Sequence, residues 1–160
     1  MSTHDASNED ISKRVEKLRR YIFNALVGSL SVDITYTLRK PIIGCHHSLD
    51  LPIDFREVER QIGFISLGIR DHVVFWGVEP FFVQIDMTMS PQISESEKYL
   101  YIGDDVDGRC YAYCLQNRKA GQIVRWFIVD DPRLLKESHL EKYDGTFLDL
   151  LEDNIYTYLN

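Results

Sequence analysis

Between residues 99 and 115, the pattern of apolar and polar positions predicts two short strands joined by a tight turn. Tyr99 to Ile102 form the first strand, and the Asp-Asp-Val-Asp-Gly segment at residues 104–108 supplies the residue types that favour turns. Successive side chains of a strand point to opposite faces of its sheet. The second strand therefore places Cys110, Ala112 and Cys114 on one face, and Tyr111, Tyr113 and Leu115 on the other.

A third strand is predicted at residues 123–129, after a turn at residues 116–121. Its residues are apolar on both faces apart from Arg125, which is typical of a strand that is covered on both sides of a sheet. Further strands are predicted earlier in the chain, at residues 31–38, 64–67, 72–77 and 81–89.

Helical spacing of apolar residues predicts a helix that begins after Ser7 or Asn8 and ends at Gly28. Its apolar stripe consists of Ile11, Val15, Leu18, Ile22 and Leu26, widened by Phe23 and Val27. Its outer face carries Lys13, Arg14, Lys17, Arg19 and Arg20. We expect the stripe to pack on the domain and the basic face to lie in solvent. The alternative is a helix that binds a membrane surface or a calmodulin-type partner.

These elements predict an α+β fold with a mostly antiparallel sheet of about six strands, flanked by helices from the N-terminal and C-terminal parts of the chain. Two further helices are predicted, one that begins at Pro52 and one that follows Thr146. A chain of 160 residues with 44% hydrophobic residues is sufficient for one substantial core. The polar residues 1–9 are predicted to be disordered, and residues 10–160 to form a single domain.

Three segments carry a resemblance to a known family. The first is Ile102-Gly-Asp-Asp105, followed by a glycine, an aromatic-rich strand, a glycine turn and a strand that contains Trp126. The second is Leu51-Pro-Ile-Asp-Phe55 at a helix start, and the third is the closing helix at residues 146–152. Together they resemble the SUKH superfamily, from residue 51 to the end of the chain, as a distant member.

The resemblance implies a SUKH-like α+β fold and a non-catalytic role in protein binding. Immunity proteins of this superfamily use an acidic face to block a toxin, often a basic nuclease, inside the producing cell. Fungal cell-wall-assembly regulators share the fold, so a eukaryotic or viral interaction adaptor is the alternative. The long N-terminal helix favours that alternative.

The charge is unevenly distributed along the chain. Residues 1–28 carry five basic and four acidic side chains and sum to +1, whereas the remainder carries 13 basic and 21 acidic side chains and sums to −8. An acidic body argues against nucleic-acid binding, which needs clustered Lys and Arg. It favours a basic protein partner, because surface charge steers association; acidity that serves solubility alone is the alternative.

Metal binding is the first enzyme-like possibility that the sequence offers. Cys45, His46 and His47 would have to meet Cys110 and Cys114 in space to form a zinc site. The latter two lie four residues apart on a predicted strand, which separates them by roughly 13 Å. Cysteines on the inner face of a sheet are usually small apolar core residues. We therefore expect no metal site.

Other catalytic signatures are also weak. The Asp-rich segment at residues 104–108 does not match a calcium-binding loop, because aligning Gly108 with its glycine places Gly103 and Cys114 at ligand positions. None of the five histidines lies in a nucleophile motif, and no glycine-rich phosphate loop is present. We expect neither catalysis nor a cofactor, with a hydrolase or metal enzyme assembled from scattered residues as the remaining alternative.

The sequence also bears on location. Three cysteines and the lack of a signal peptide favour a reducing compartment, and the apolar runs are shorter than the roughly 20 residues of a membrane helix. A cytoplasmic protein without membrane contact is therefore expected. The oligomeric state is left open.

Acidic and aromatic residues around the first turn form the candidate binding site. Tyr and Trp are frequent hot spots of protein interfaces, and exposed carboxylates attract basic partners. The hypothesis is that a basic protein, such as a toxin domain, docks on three carboxylates, with three aromatic residues as anchors where these are exposed. The carboxylates are Asp104, Asp105 and Asp107, and the aromatic residues are Tyr111, Tyr113 and Trp126.

Overall fold

The computed structural model describes residues 7–28, 34–39, 51–69, 72–76, 82–83, 99–115, 121–128 and 135–159. The Cys45-His46-His47 cluster, residues 84–89 of the predicted fourth strand and residues 1–6 lie outside the described residues.

The described chain contains three α-helices, eight strands and a 3₁₀ helix at Glu137–His139. The helices are α1 (Asn8–Gly28), α2 (Ile53–Gln61) and α3 (Phe147–Tyr158). The strands are β1 (Ile34–Arg39), β2 (Phe64–Ile69), β3 (His72–Trp76), β4 (Phe82–Val83), β5 (Tyr99–Asp104), β6 (Arg109–Cys114), β7 (Ile123–Phe127) and β8 (Glu141–Tyr143).

The strands form one antiparallel sheet in the order β1-β2-β3-β5-β6-β7-β8, and β4 pairs with β5 beside this path. The predicted α+β class is confirmed. The predicted count of about six strands is not, because eight strands are present among the described residues. β4 lies within the predicted strand at residues 81–89, whereas β8 was not predicted, because two of its three residues are charged.

The sheet has a core on each of its faces. On the helix side, Leu100, Ile102, Tyr111, Tyr113 and Ile123 pack with buried residues of all three helices. On the other side, Cys110, Ala112 and Cys114 of β6 pack with Val124, Trp126 and Leu135. The predicted alternation along β6 is therefore confirmed, since its odd-numbered and even-numbered residues belong to different cores.

Helix α1 packs through part of its predicted stripe. Ile11, Val15, Leu18 and Ile22 are buried, whereas Phe23 and Val27 are 65% and 71% exposed, so the predicted widening of the stripe is wrong. Each residue advances about 100° around a helix, which turns Phe23 away from the core that Ile22 faces. The side chain of Leu26 lies outside the described set.

The N-terminal end of α1 is fixed by polar contacts. The Asp10 N–H donates to Ser7 Oγ at 3.2 Å, so the helix begins inside the segment predicted to be disordered. Arg14, expected on the solvated face, instead contacts α3: its Nη2 lies 2.6 Å from both Asp149 Oδ1 and Glu152 Oε2. Although partial burial acts to raise the pKa of Asp149, hydrogen bonds from Thr146 and Arg14 hold it below its usual value.

The Leu51–Phe55 segment joins the start of α2 to the start of α3. The Leu148 N–H donates to Asp54 Oδ2 at 3.1 Å, and the Phe55 ring stacks on that of Phe147 with centroids 4.2 Å apart. Asp54 thus satisfies an N-terminal amide of α3 that the helix cannot satisfy itself. Burial raises the pKa of Asp54, and the backbone N–H groups that it accepts oppose this effect.

Candidate protein-binding surface

Asp105 shapes the turn between β5 and β6. Its Oδ1 accepts the backbone N–H groups of Asp107 and Arg109, each at 3.0 Å, and its Oδ2 accepts the Tyr111 hydroxyl at 2.7 Å. The Gly108 N–H donates to the Asp105 carbonyl at 3.2 Å, with a φ of 79° at Gly108 that favours glycine. The Asp105 carboxylate therefore accepts backbone N–H groups of the turn that would otherwise need a backbone carbonyl or water as acceptor.

The three candidate carboxylates differ in exposure. Asp105 is only 7% exposed, so the expectation that all three lie in solvent is wrong for this residue. Asp104 is half-buried and accepts a hydrogen bond from the Tyr101 hydroxyl at 3.3 Å. Asp107 is exposed. Of the three, Asp107 presents its charge most fully to a partner.

The three candidate aromatic anchors are buried and do not share a face of the sheet. Tyr111 and Tyr113 are 3% and 7% exposed on the helix side, whereas Trp126 is 6% exposed on the other side. Tyr113 packs edge-on against Phe55 at 5.1 Å between centroids. The condition that these aromatic residues are exposed is therefore not met. They belong to the two cores because every second residue of a covered strand faces the same core.

Tyr111 is a hydrogen-bond donor held in place by Asp105. Burial and the bond to Asp105 raise the pKa of Tyr111 well above its usual range, although the nearby Arg125 and Arg109 act to lower it. The hydroxyl therefore remains protonated at neutral pH and continues to donate to the carboxylate. The hydrogen bond between Tyr111 and Asp105 therefore connects the β5–β6 turn to the core on the helix side of the sheet.

Two exposed apolar residues lie directly beside this turn. Phe127 and Ile128 are 57% and 72% exposed. The Ile128 N–H donates to the Gly108 carbonyl at 2.8 Å, and Phe127 is paired with Arg109, whose guanidinium carbon lies 5.0 Å from the ring centroid. We refer to Asp104, Asp107, Gly108, Phe127 and Ile128 together as the turn surface.

The apolar part of the turn surface was missed by sequence reasoning. Residues 123–129 are apolar on both faces and were expected to be covered throughout, which holds for Ile123, Val124 and Trp126 but not for Phe127 and Ile128. The available signal was position, because these residues precede the Asp-Asp-Pro segment at 130–132 that ends the strand pattern.

Two arginines lie on the helix side of the sheet near the turn. Arg109 and Arg125 each have a buried Nε without a hydrogen-bond partner. Arg125 Nε lies 3.4 Å from Glu141 Oε2, and its guanidinium carbon lies 6.0 Å from the Tyr143 ring centroid. These contacts hold both guanidinium groups against aromatic rings, which stabilises their orientation.

The described cysteines are core residues. Cys110 and Cys114 are free and buried on the side of the sheet away from the helices. Burial raises the pKa of the Cys110 thiol, which disfavours the reactive thiolate. Within the described ranges, no three His, Cys, Asp or Glu side chains are grouped so that they could hold a metal ion.

Comparisons of the chain with protein-family models, with curated proteins and with solved structures returned no match. None of the helices described for this chain combines the length and the apolar character needed to cross a membrane.

Proposed function

We propose that this chain is a non-catalytic protein-binding module and that its turn surface docks a basic protein. The observation that carries the proposal is the exposure of Phe127 and Ile128, 57% and 72%, beside an acidic turn. Exposed apolar side chains next to charged residues are typical of protein interfaces. The proposed site thus keeps Asp104 and Asp107 of the sequence hypothesis, leaves out the buried Asp105, and replaces the aromatic anchors.

Charge favours a basic partner. The turn surface contains Asp104 and Asp107, and Asp130 and Asp131 follow Ile128 in the sequence by two and three positions. A basic side chain beside these residues is Arg109, which lies against the Phe127 ring. The charge of the chain outside residues 1–28 is −8, from 13 basic and 21 acidic residues. A basic protein would be attracted over a distance by this charge and held at short range by the apolar pair.

The resemblance to SUKH immunity proteins suggests the mechanism. The protein would neutralise a toxin, such as a basic nuclease, in the cytoplasm of the producing cell by covering its active site. Rigidity of the turn supports such a role, because Asp105 fixes the backbone of Asp107 and Arg109 before any partner arrives. A preformed surface loses less conformational entropy on binding.

The first step of the test is to identify partners by pull-down from the native cell and mass spectrometry. The bait is the wild-type chain, and the controls are the variants Ile128→Ser and Ile53→Ser. Ile53 is a matched control because it is an exposed isoleucine, 41% exposed, at the start of α2. A basic protein that is retained by the wild type and by Ile53→Ser, and lost with Ile128→Ser, is the expected partner.

The second step measures binding kinetics against that partner at two ionic strengths. Asp107→Lys should lower the association rate and weaken its salt dependence, because exposed charges mainly change the rate at which the two proteins meet. Asp144→Lys is the charge control, since Asp144 is exposed and lies before α3. Ile128→Ser should instead raise the dissociation rate. Equal rates for Asp107→Lys and Asp144→Lys, or an acidic partner, would refute the proposal.

A further inference from the structure

Helix α1 presents a second set of exposed apolar residues, separate from its buried stripe. Phe23 and Val27 are 65% and 71% exposed and lie four residues apart, so they are neighbours on one face of the helix. Arg19 and Arg20 precede Phe23 by one turn and are also exposed. We call Arg19, Arg20, Phe23 and Val27 the helix surface.

The helix surface and the turn surface are opposite in charge. The helix surface carries Arg19 and Arg20, which gives +2, whereas the turn surface carries Asp104 and Asp107, which gives −2. The guanidinium of Arg109 lies against the Phe127 ring of the turn surface. Arg20 is partly neutralised by Glu16, whose Oε1 lies 2.6 Å from its Nη2. Each surface also offers two exposed large apolar side chains.

We infer that the helix surface of one copy of this chain docks on the turn surface of another copy. The inference rests on the proposed function in that it uses the same turn surface, with a second copy competing with the basic partner. The two surfaces are different, so the contact is heterologous, and each added copy leaves one surface of each kind free. Assembly should therefore grow with concentration rather than stop at a dimer, unless a ring closes.

A second copy fits the helix surface better than a lipid membrane does. A helix that lies in a membrane interface buries a broad apolar face, whereas α1 directs Ile11, Val15, Leu18 and Ile22 into its own core. Among the α1 side chains that the structure describes, two exposed large apolar residues remain for an external contact. In addition, the net charge of −7 would oppose approach to an anionic membrane.

Analytical ultracentrifugation across a wide concentration range tests the inference. At low salt, the mean mass of the wild type should rise above that of a monomer as concentration increases, and high salt should reduce this rise because it screens the charges. Phe23→Ser and Ile128→Ser should each abolish self-association, and Ile53→Ser should leave it unchanged. Val27→Ser and Phe127→Ser provide a second pair of variants, and far-UV circular dichroism verifies that each variant is folded.

The decisive measurement mixes the two monomeric variants. Phe23→Ser keeps an intact turn surface and Ile128→Ser keeps an intact helix surface, so an equimolar mixture should form a one-to-one dimer that grows no further. A wild type that stays monomeric at every concentration and salt would overturn the inference. So would a mixture that remains monomeric although the wild type associates, or binding of α1 to anionic vesicles without self-association.

The two proposals can fail separately. If Ile128→Ser loses a basic partner while the wild type is monomeric, the proposed function stands and the inference is refuted. If the mixed variants form the dimer but the turn surface binds no basic protein, the inference stands and the proposed function is refuted.

Discussion

Asp54 in α2 and Asp105 in the β5–β6 turn are both buried carboxylates that accept backbone N–H groups, yet their surroundings differ. They are 5% and 7% exposed. Asp54 accepts the N–H of Leu148, 94 positions away in the sequence, whereas Asp105 accepts those of residues two and four positions further along. The first contact is tertiary and the second is local.

This difference separates a residue that joins the fold from one that shapes a surface. The neighbours of Asp54 are core residues, with Phe55 and Phe147 each 1% exposed. The neighbours of Asp105 include the exposed Asp107, and the turn contacts the exposed Ile128. Substitutions around Asp54 should therefore affect stability, whereas substitutions around Asp105 should divide into those that alter the turn and those that alter binding alone.

The largest expected effect lies at the α2–α3 junction. Phe147→Ala removes a buried ring that stacks on Phe55 at 4.2 Å, and loss of a buried Phe usually costs about 3–5 kcal/mol of unfolding free energy. Denaturant unfolding should show this loss. The control is Phe127→Ala, because Phe127 is 57% exposed and should lose far less. Similar losses for the two variants would contradict the distinction between junction and surface.

Asp105→Ala should have the next largest effect. It removes the acceptor of the Tyr111 hydroxyl and of two backbone N–H groups, and each buried donor left without a partner costs about 1–3 kcal/mol. Because water can reach part of the turn, we expect a total loss of about 2–3 kcal/mol in unfolding free energy. Asp107→Ala, at an exposed carboxylate of the same turn, should stay within about 0.5 kcal/mol. Equal losses for the two aspartates would show that Asp105 has no special role.

The local contacts around the β5–β6 turn could be predicted from the sequence, whereas the tertiary contact between Asp54 and Leu148 could not. The alternation in β6 predicted which residues share a face, because a strand repeats every two residues whatever covers it. An aspartate two residues before its N–H partner is also a local turn pattern that could have identified Asp105 as structural. The bond between Asp54 and Leu148 depends on how α2 and α3 meet, which no local pattern records.

Exposure at the ends of elements was the least predictable property. Val27, Phe127 and Ile128 are exposed apolar residues at or just past the ends of α1 and β7 that continue a buried pattern, whereas Phe23 is exposed because it faces away from the core that Ile22 contacts. Whether the pattern of a helix or strand extends past its covering layer depends on the lengths of the neighbouring elements. For this reason the aromatic anchors were assigned to Tyr111, Tyr113 and Trp126 rather than to the exposed residues.

The pH dependence of the unfolding free energy tests whether burial or hydrogen bonding dominates at Asp54. Because burial raises the pKa of Asp54 in the folded state above its usual value, the folded chain binds this proton more tightly than the unfolded chain. The stabilisation linked to Asp54 should be complete below the unfolded pKa and be lost as pH rises through the folded pKa. The unfolding free energy of the wild type minus that of Asp54→Asn should therefore decrease from about pH 4 upward. A difference that increases with pH over this range would show that the N–H bonds outweigh burial.

The smallest effect on stability is expected at Ile128. This side chain is 72% exposed, and its backbone N–H donates to Gly108, a bond that serine at the same position retains. Substitution of an exposed residue that leaves the backbone contacts intact usually changes unfolding free energy by no more than about 0.5 kcal/mol. Denaturant unfolding of Ile128→Ser should give that result, and Ile123→Ser, at a buried isoleucine of the same strand, should lose several times more. If Ile128→Ser were as destabilising as Ile123→Ser, Ile128 would be part of a core, and the turn surface would lose the apolar residue on which partner binding and self-association both depend.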